Sequence, residues 1–234
     1  MQKNYPRREF IKKSAMAGAG IGITAMGLSA KSYAAIPGAN ERLNLAVIGI
    51  HGQGQTHINS WCNLKTSRNV RIKTLCDTDE QWFDSRAKTV SDKTGEKPLT
   101  EWDMRKVFDD KEIDAVSFAT PNHWHALGTI WACQAGKHVY LEKPAAPCIS
   151  EGRILSDEVM KSGRILQVGS QQRSMPQFKK ACELVRNGRI GKIHTIYVGL
   201  PIDKPEESTV EKEMPVPPNL NFEKWLGATP YVPY

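Results

Sequence analysis

The sequence has no paired cysteines, no long apolar run and, over most of its length, no excess of one charge. Its five cysteines stand singly at positions 62, 76, 133, 148 and 182, so neither a disulfide framework nor a thiolate zinc site is indicated. The net charge of +7 is concentrated at the start, where residues 1–34 hold six basic side chains against Glu9 alone. The rest of the chain has 26 basic and 24 acidic side chains, a balance that argues against a nucleic-acid partner.

The basic start of the chain is typical of an export signal. Arg7 and Arg8 lead a stretch that resembles the twin-arginine motif, and a Gly/Ala-rich segment follows over residues 15–30. That segment is too short and too rich in glycine for a stable membrane anchor, which is the alternative. We therefore expect residues 1–34 to be a signal peptide recognised by the twin-arginine translocase of a bacterium, and the protein to be periplasmic or otherwise exported.

Strand-like and helix-like segments alternate from residue 43 to residue 168. The spacing of apolar residues predicts helices between the strands, and Thr100 and Ser150 are the expected N-caps of two of these helices. Short apolar runs predict strands at 43–48, 70–76, 115–119, 139–141 and 165–168. Such alternation favours a doubly wound parallel sheet covered by helices on both faces. Ligands of these sheets bind beyond the carboxyl ends of the strands.

The pattern changes after residue 168. A helix around Phe178–Val185 and an alternating, strand-like segment at 192–200 are followed by a proline-rich charged loop. This is too little to close a second core, so we expect residues 169–234 to begin a substrate and oligomerisation domain that is truncated here. A small complete domain with an irregular tail is the alternative.

A glycine turn and a carboxylate indicate a nucleotide site. Gly49, Gly52 and Gly54 would let the backbone approach a pyrophosphate at the start of a helix, although His51 breaks the strict G-x-G-x-x-G pattern and a simple tight turn is the alternative. The next strand ends at Asp77, where a carboxylate can accept hydrogen bonds from ribose hydroxyls and repel a 2′-phosphate. A helix N-cap is the other role open to Asp77. The pair favours NAD over NADP.

At this point the chain resembles the Gfo/Idh/MocA oxidoreductase family, whose members act mainly on sugars and cyclitols. The resemblance covers most of residues 43–200 and is carried by the glycine turn at 49–54, CDTD at 76–79, ATPNHWHA at 119–126, AGKHVYLEKP at 135–144 and LQVGSQQR at 166–173. It implies a Rossmann domain at 43–168, then an α/β domain with an open, mostly antiparallel sheet. It also implies a nicotinamide dinucleotide as cofactor, a small carbohydrate or polyol as substrate, and a homo-oligomer for the full-length protein.

The resemblance also implies roles for individual residues. The pyrophosphate would be lined by Gly49, Gly52, Gln53 and Gly54, and the adenosine ribose by Asp77. The dinucleotide would continue toward its nicotinamide past Thr120, Pro121, Asn122 and His125. Its second ribose would meet Glu142. The substrate would face Lys143, the expected catalytic residue, with Gln171 and Arg173 near the same end.

Elementary chemistry supports the expectation for Lys143. Pro144 biases the residue before it toward extended backbone, which fixes where the lysine projects. A lysine that is desolvated near a cationic nicotinamide can take or relay a proton while an alcohol is oxidised. The alternative is a surface Glu142–Lys143 pair of little energetic value. No Asp and His pair on one helix, which the family often supplies from its second domain, follows Lys143 in this sequence.

Other aromatic and imidazole side chains allow two readings. His123 and His125 lie two positions apart on a starting helix, do not share a face and have no further ligand nearby, so a metal site is not expected. Trp225 and the Pro/Tyr tail could form a substrate wall, although loop packing is favoured. The functions that remain open are a sugar or polyol oxidoreductase, an NAD-retaining glycosidase that oxidises its sugar transiently, a non-catalytic sensor and a purely structural exported domain.

Overall fold

The computed structural model describes residues 42–200 and 212–234. The expected signal peptide, residues 1–34, lies outside the described residues, as does the part of the proline-rich loop at 201–211. In the part of the chain that is described, no helix combines the length and the apolar character that crossing a bilayer requires.

Six parallel strands form one sheet in the order β3-β2-β1-β4-β5-β6. The strands are β1 Leu43–Ile48, β2 Val70–Cys76, β3 Leu99–Glu101, β4 Ala115–Phe118, β5 His138–Leu141 and β6 Leu166–Val168. This is the Rossmann order, in which the direction of winding reverses between β1 and β4. The predicted parallel sheet is confirmed, and its reversal point lies where the glycine turn follows β1.

Helices connect the strands and cover the sheet. They are α1 Gln53–Asn63, α2 Lys65–Arg68, α3 Phe83–Thr94, α4 Met104–Asp109, α5 His125–Gln134, α6 Ile149–Ser162, α7 Pro176–Arg186 and α8 Phe222–Leu226. Single 3₁₀ turns precede three of them, at Glu80–Trp82, Asn122–Trp124 and Gln171–Ser174.

The core is divided by the sheet into two layers. Successive residues of β1 alternate between them, because side chains of a strand point to opposite faces. Leu45 and Val47 pack with Ile58 of α1 in one layer. Ala46 and Ile48 belong to the other layer, with residues of α4, α5 and α6. The β1 strand is therefore buried on both faces, which explains why it reads as a continuous apolar run.

Three local predictions differ from the structure, and two elements were not foreseen. Thr100 lies in β3, and the cap of α4 is instead Asp103, whose side chain accepts from Arg105 N. Ser150 lies inside α6, after a Cys148 cap that makes no side-chain bond to the backbone. Residues 192–200 form no strand, since no partner strand lies beside them in the described residues. Strand β3 and helix α8 are the two elements that were not foreseen.

Candidate functional site

The glycine turn after β1 is shaped by two close approaches of backbone. Gly49 has φ +80°, and a Cβ there would lie 2.6 Å from the carbonyl carbon of Ala119, in the loop after β4. A Cβ on Gly54 would lie 2.0 Å from the carbonyl oxygen of Gly49. Glycine is needed at both positions because any side chain would separate these segments. Helix α1 begins at Gln53 with no side-chain cap and no acidic residue in its first turn. Its positive end is therefore free to accept an anion such as pyrophosphate.

Asp77 joins the glycine turn to the end of β2. Its Oδ2 accepts from Ile50 N at 2.7 Å and its Oδ1 from Asp79 N at 3.1 Å. Burial raises the pKa of this carboxyl above its ordinary value, although the backbone hydrogen bonds oppose the rise. Each oxygen keeps a lone pair beyond these bonds, so ribose hydroxyls could still be accepted.

A buried network fixes Glu142 at the end of β5. Its Oε1 lies 3.0 Å from His57 Nε2, and His57 Nδ1 lies 2.9 Å from the hydroxyl of Ser117, which also accepts from Trp61 Nε1 at 3.0 Å. An indole only donates and a carboxylate only accepts, so the chain of bonds runs from Trp61 through Ser117 and His57 to Glu142.

The same network sets the charge of Glu142. The side chain is buried, at 6% exposure, and burial alone would raise its pKa. Hydrogen bonds from His57 and Gln53 outweigh that effect and lower the pKa below the ordinary value. Gln171 Nε2 also approaches Oε1 at 3.3 Å, whereas Oε2 accepts only from Lys143 N in the described residues. Oε2 is thus the oxygen left to accept a hydroxyl from a ligand.

Lys143 behaves differently from its neighbour. Its side chain is exposed, and among the described residues it forms no ion pair with Glu142 or with another carboxylate. The alternative of a surface Glu–Lys pair is therefore wrong for these two residues. The expected desolvation of Lys143 is also not seen, because none of the described residues packs over this end of the sheet closely enough to bury it. The peptide bond to Pro144 is cis.

The loop after β4 separates two adjoining cavities. The larger, of about 510 Å³, contains Asp77, Gly49, Gly52 and Pro121. The smaller, of about 410 Å³, is lined by Asn122, His125, Glu142, Lys143 and Gln171. Both are lined by Gln53, Ala119 and Thr120, so they form one crevice along the carboxyl ends of the strands. Strands β2 and β5 are three strand spacings apart, roughly 14 Å.

Two expected residues take positions that differ from the rest. His125 is buried at the wall of the smaller cavity, where its Nδ1 lies 2.5 Å from the carbonyl oxygen of Pro144 and its Nε2 lies 3.0 Å from that of Thr120, so the ring lies between two loops. Arg173 is exposed in the turn at Gln171–Ser174 and is not among the residues of either cavity. Within the described ranges, no three His, Cys, Asp or Glu side chains cluster closely enough to hold a metal ion.

Several residues of the site were missed by the sequence reasoning. His57 lies on the buried stripe of α1 with Gly54, Ile58 and Cys62, so helical spacing could have shown that it is buried, but not that it meets Glu142. The aromatic side chains of the larger cavity, Trp82, Trp102, Trp124, Phe222, Trp225 and Tyr234, come from four separate segments. Trp225 and Tyr234 belong to the stretch that the sequence offers as a possible substrate wall, and the structure has both on the Asp77 side of the crevice.

Residues 43–170 match the family model described as an oxidoreductase family with an NAD-binding Rossmann fold. The uncharacterised oxidoreductase YrbE of Bacillus subtilis is 29% identical over 181 residues, which are 77% of this chain and 47% of YrbE. A glycosyl hydrolase family 109 protein of Shewanella pealeana is 30% identical over 161 residues, covering 62% of this chain and 35% of that protein. The structure of myo-inositol 2-dehydrogenase from Lactobacillus plantarum is 26% identical with a TM-score of 0.57, covering 65% of this chain and 43% of that one. The chain spans less than half the length of these relatives.

Proposed function

Since this chain belongs to the Gfo/Idh/MocA oxidoreductase family, through an NAD-binding Rossmann fold at residues 43–170, we propose that the protein is an NAD-dependent oxidoreductase acting on a sugar or polyol. The observation that carries the proposal is the continuous crevice across the β1/β4 reversal point, with Asp77 toward one end and Glu142 and Lys143 at the other. An extended ligand made of two linked nucleotides suits such a crevice.

The residues of the crevice fit this cofactor. The turn at Gly49–Gly54 leaves backbone rather than side chains near the uncapped start of α1, as a pyrophosphate requires. Asp77 would accept the hydroxyls of the adenosine ribose, and Glu142 Oε2 those of the second ribose. When bound, the nicotinamide ring would supply hydride chemistry, taking a hydride from a substrate carbon or returning it.

Lys143 is the group that we assign to proton transfer. Its exposed ammonium lies at the mouth of the smaller cavity, beside a carboxylate that is already engaged by His57. It can therefore turn toward a substrate oxygen and give or take the proton that accompanies hydride transfer. A positioned acid or base of this kind contributes about 10²- to 10⁴-fold to a rate.

NAD is the preferred cofactor in this proposal because a buried carboxylate at the end of β2 would oppose a 2′-phosphate. One neighbouring residue, Arg86, would favour NADP instead, because a guanidinium can pair with a 2′-phosphate. Arg86 lies with its guanidinium 4.8 Å from the centre of the Trp82 ring, but its Nε is already bonded to the carbonyl oxygen of Ile50 at 2.9 Å. This bond uses one of the five N–H donors of the guanidinium and holds Arg86 against the glycine turn.

The decisive experiment compares Lys143→Ala with the wild type in the full-length protein. We expect NAD affinity to be retained and hydride transfer, followed as NADH absorbance with a panel of sugars and polyols, to fall about 10²-fold or more. Lys88→Ala is the matched control, since Lys88 is an exposed lysine on α3 that pairs only with Asp92 in the described residues. Turnover at the wild-type rate by Lys143→Ala would remove the catalytic assignment, and failure of the wild type to bind NAD would refute the proposed function.

A second candidate is an NAD-retaining glycosidase, which the identity of 30% with a glycosyl hydrolase family 109 protein favours. It would use the same crevice: a sugar carbon would be oxidised transiently, the glycosidic group would be eliminated, and water would add to the sugar before the hydride is returned. Chromatography of the products separates the two candidates. Free sugar released from a glycoside without net NADH would establish the glycosidase, and an oxidised sugar with equimolar NADH would exclude it.

Export of the protein forms part of the proposal, on the basis of the basic and Gly/Ala-rich start of the sequence. A fusion of residues 1–40 to a reporter that is active only after export should be translocated. Replacing Arg7 and Arg8 by lysine should stop it, and an unchanged reporter signal in that variant would contradict the use of the twin-arginine route.

A further inference from the structure

The last described segment of the chain, residues 217–234, is bound to the loop that follows Asp77. We call it the C-terminal segment. Leu220 pairs with Asp79 in an antiparallel bridge. Around that bridge, Glu80 N donates to Asn219 O at 2.9 Å and Asn221 N to Thr78 O at 2.8 Å. These bonds hold the segment directly beside the residue that we assign to the adenosine ribose.

Side chains next to the starts of α4 and α5 also hold the C-terminal segment. Trp124 Nε1 donates to Lys224 O at 3.1 Å, and His123 Nε2 bonds Trp225 O at 2.8 Å. Lys224 Nζ lies 2.9 Å from the carboxylate of Asp103. Leu226 is buried. The C-terminal segment is thus attached by backbone, by a charge pair and by apolar packing, so its position relative to the crevice is fixed.

The segment presents aromatic rings to the larger cavity. Phe222, Trp225 and Tyr234 line that cavity on one side, and the rings of Phe222 and Trp225 are nearly parallel, with centroids 5.9 Å apart. Trp82, which stacks on His51 at 4.2 Å, lines the cavity too. Asp77 is part of the same wall. A flat heteroaromatic ring is the ligand chemistry that such a set of faces and edges favours.

We propose that the C-terminal segment forms the base side of the dinucleotide site and holds the adenine ring of the cofactor through Phe222, Trp225 and Tyr234. This inference rests on the proposed function and deepens it. The base of a nucleotide is joined to its ribose, so a base whose ribose meets Asp77 must lie within one sugar of that carboxylate. Phe222, Trp225 and Tyr234 lie at that position. No residue of the C-terminal segment lines the smaller cavity, where the nicotinamide would lie.

This assignment gives the C-terminal segment a role different from the substrate wall that the sequence suggests for Trp225 and the Pro/Tyr tail. In the structure, the residues that meet the smaller cavity, where a substrate would face Lys143, come from residues 53–171. The C-terminal segment therefore acts on the affinity for the nucleotide, and through it on how long the dinucleotide stays bound. It does not select the sugar.

The experiment titrates the full-length protein with NAD, AMP and nicotinamide mononucleotide by calorimetry. The variants are Tyr234→Ala and Trp225→Leu. Tyr231→Ala is the control, because Tyr231 lies in the same segment, is 80% exposed and does not line the larger cavity. Stacking on an aromatic side chain supports a loss of about tenfold in affinity for NAD and AMP in each variant. The control should match the wild type, and the mononucleotide, which lacks adenine, should bind all four proteins equally.

Several results would overturn the inference. AMP affinity unchanged in both variants would show that the rings do not hold the base. An equal loss for AMP and for the nicotinamide mononucleotide would show that the segment supports the whole crevice and not its base side. A changed KM for the sugar with unchanged nucleotide affinities would assign the segment to the substrate. If the wild type binds no NAD, the proposed function itself fails, whereas the other three results leave it standing. Thermal unfolding midpoints identify a variant that has lost its fold, and Tyr234→Ala keeps the test independent of Trp225, whose ring also stacks on Phe222.

Discussion

Replacing His57 with leucine would break the buried link between Glu142 and Ser117, and its cost follows from the contacts. The change removes the hydrogen bond to Glu142 at 3.0 Å and the one from Ser117 at 2.9 Å. A hydrogen bond to a buried charge contributes about 1.5–3 kcal/mol, and one between neutral groups about 1 kcal/mol. The free energy of unfolding at pH 7 should therefore fall by about 3 kcal/mol. For a chain of this size the midpoint of thermal unfolding should fall by roughly 6–12 °C, and for a longer full-length protein by less.

Urea unfolding of the full-length protein, followed by tryptophan fluorescence, measures this loss. His57→Gln is the matched variant, because its amide can still donate to Glu142 and should recover part of the stability. A double-mutant cycle with Glu142→Leu isolates the pair, and we expect a coupling of at least about 1 kcal/mol. A cost below about 1 kcal/mol for His57→Leu, or no coupling in the cycle, would refute the claim that His57 holds the buried carboxylate.

Three further predictions concern the other end of the crevice. Asp77→Ala should weaken NAD binding roughly 10- to 100-fold for each hydrogen bond lost and reduce discrimination against NADP; unchanged dissociation constants for both would contradict the ribose role. Gly49→Ala places a Cβ within 2.6 Å of backbone at a φ of +80°, so soluble expression and NAD binding should both be lost, and wild-type affinity would refute the close approach. Hydrogen bonds from Arg105 and Lys224 hold the pKa of Asp103 well below its ordinary value of 3.8. Such a group stabilises the fold above that value and loses its effect as the pH falls through the lowered pKa. Hydrogen exchange at residues 217–234 should therefore show equal protection at pH 7 and pH 5 and weaken only below about pH 4; lost protection at pH 5 would contradict this.

Most of the Rossmann fold could be predicted because its strands are buried on both faces. In Leu43–Ile48 the residues from Leu45 onward are apolar and buried, whereas in Val70–Cys76 the half-buried Arg71 and Lys73 alternate with buried residues before a fully buried end. The structure confirms both strands with the predicted bounds. Strand β3 was not foreseen, since its three residues are largely exposed and it belongs to the sheet only through its pairing with β2. The alternation at 192–200 misled for the opposite reason. Alternation of apolar and polar residues indicates that a segment could bury one face as a strand. It does not show that a second strand lies beside it to complete the hydrogen bonds.

The candidate site was predictable at the strand ends and not between them. Asp77, Glu142 and Lys143 follow strands directly, so the topology alone brings them to one edge of the sheet. His57 and Glu142 are 85 positions apart and meet only because the side chain of His57 reaches from α1 past Ser117 of β4 to the end of β5. The wall formed by Phe222 and Trp225 depends on the contact between Asn219 and Asp79, which are 140 positions apart, and no local pattern records that contact.

The double engagement of Asp77 has a consequence for anyone who wishes to redesign cofactor preference. Both carboxylate oxygens hold backbone amides, one from the glycine turn and one from the loop after β2. If Asp77 meets the ribose as proposed, a single side chain sets both cofactor selectivity and loop shape, and a swap to a small neutral residue would alter both at once. Asparagine retains an acceptor for Ile50, so a library that begins from asparagine and then varies Thr78 and Arg86 would separate the two properties.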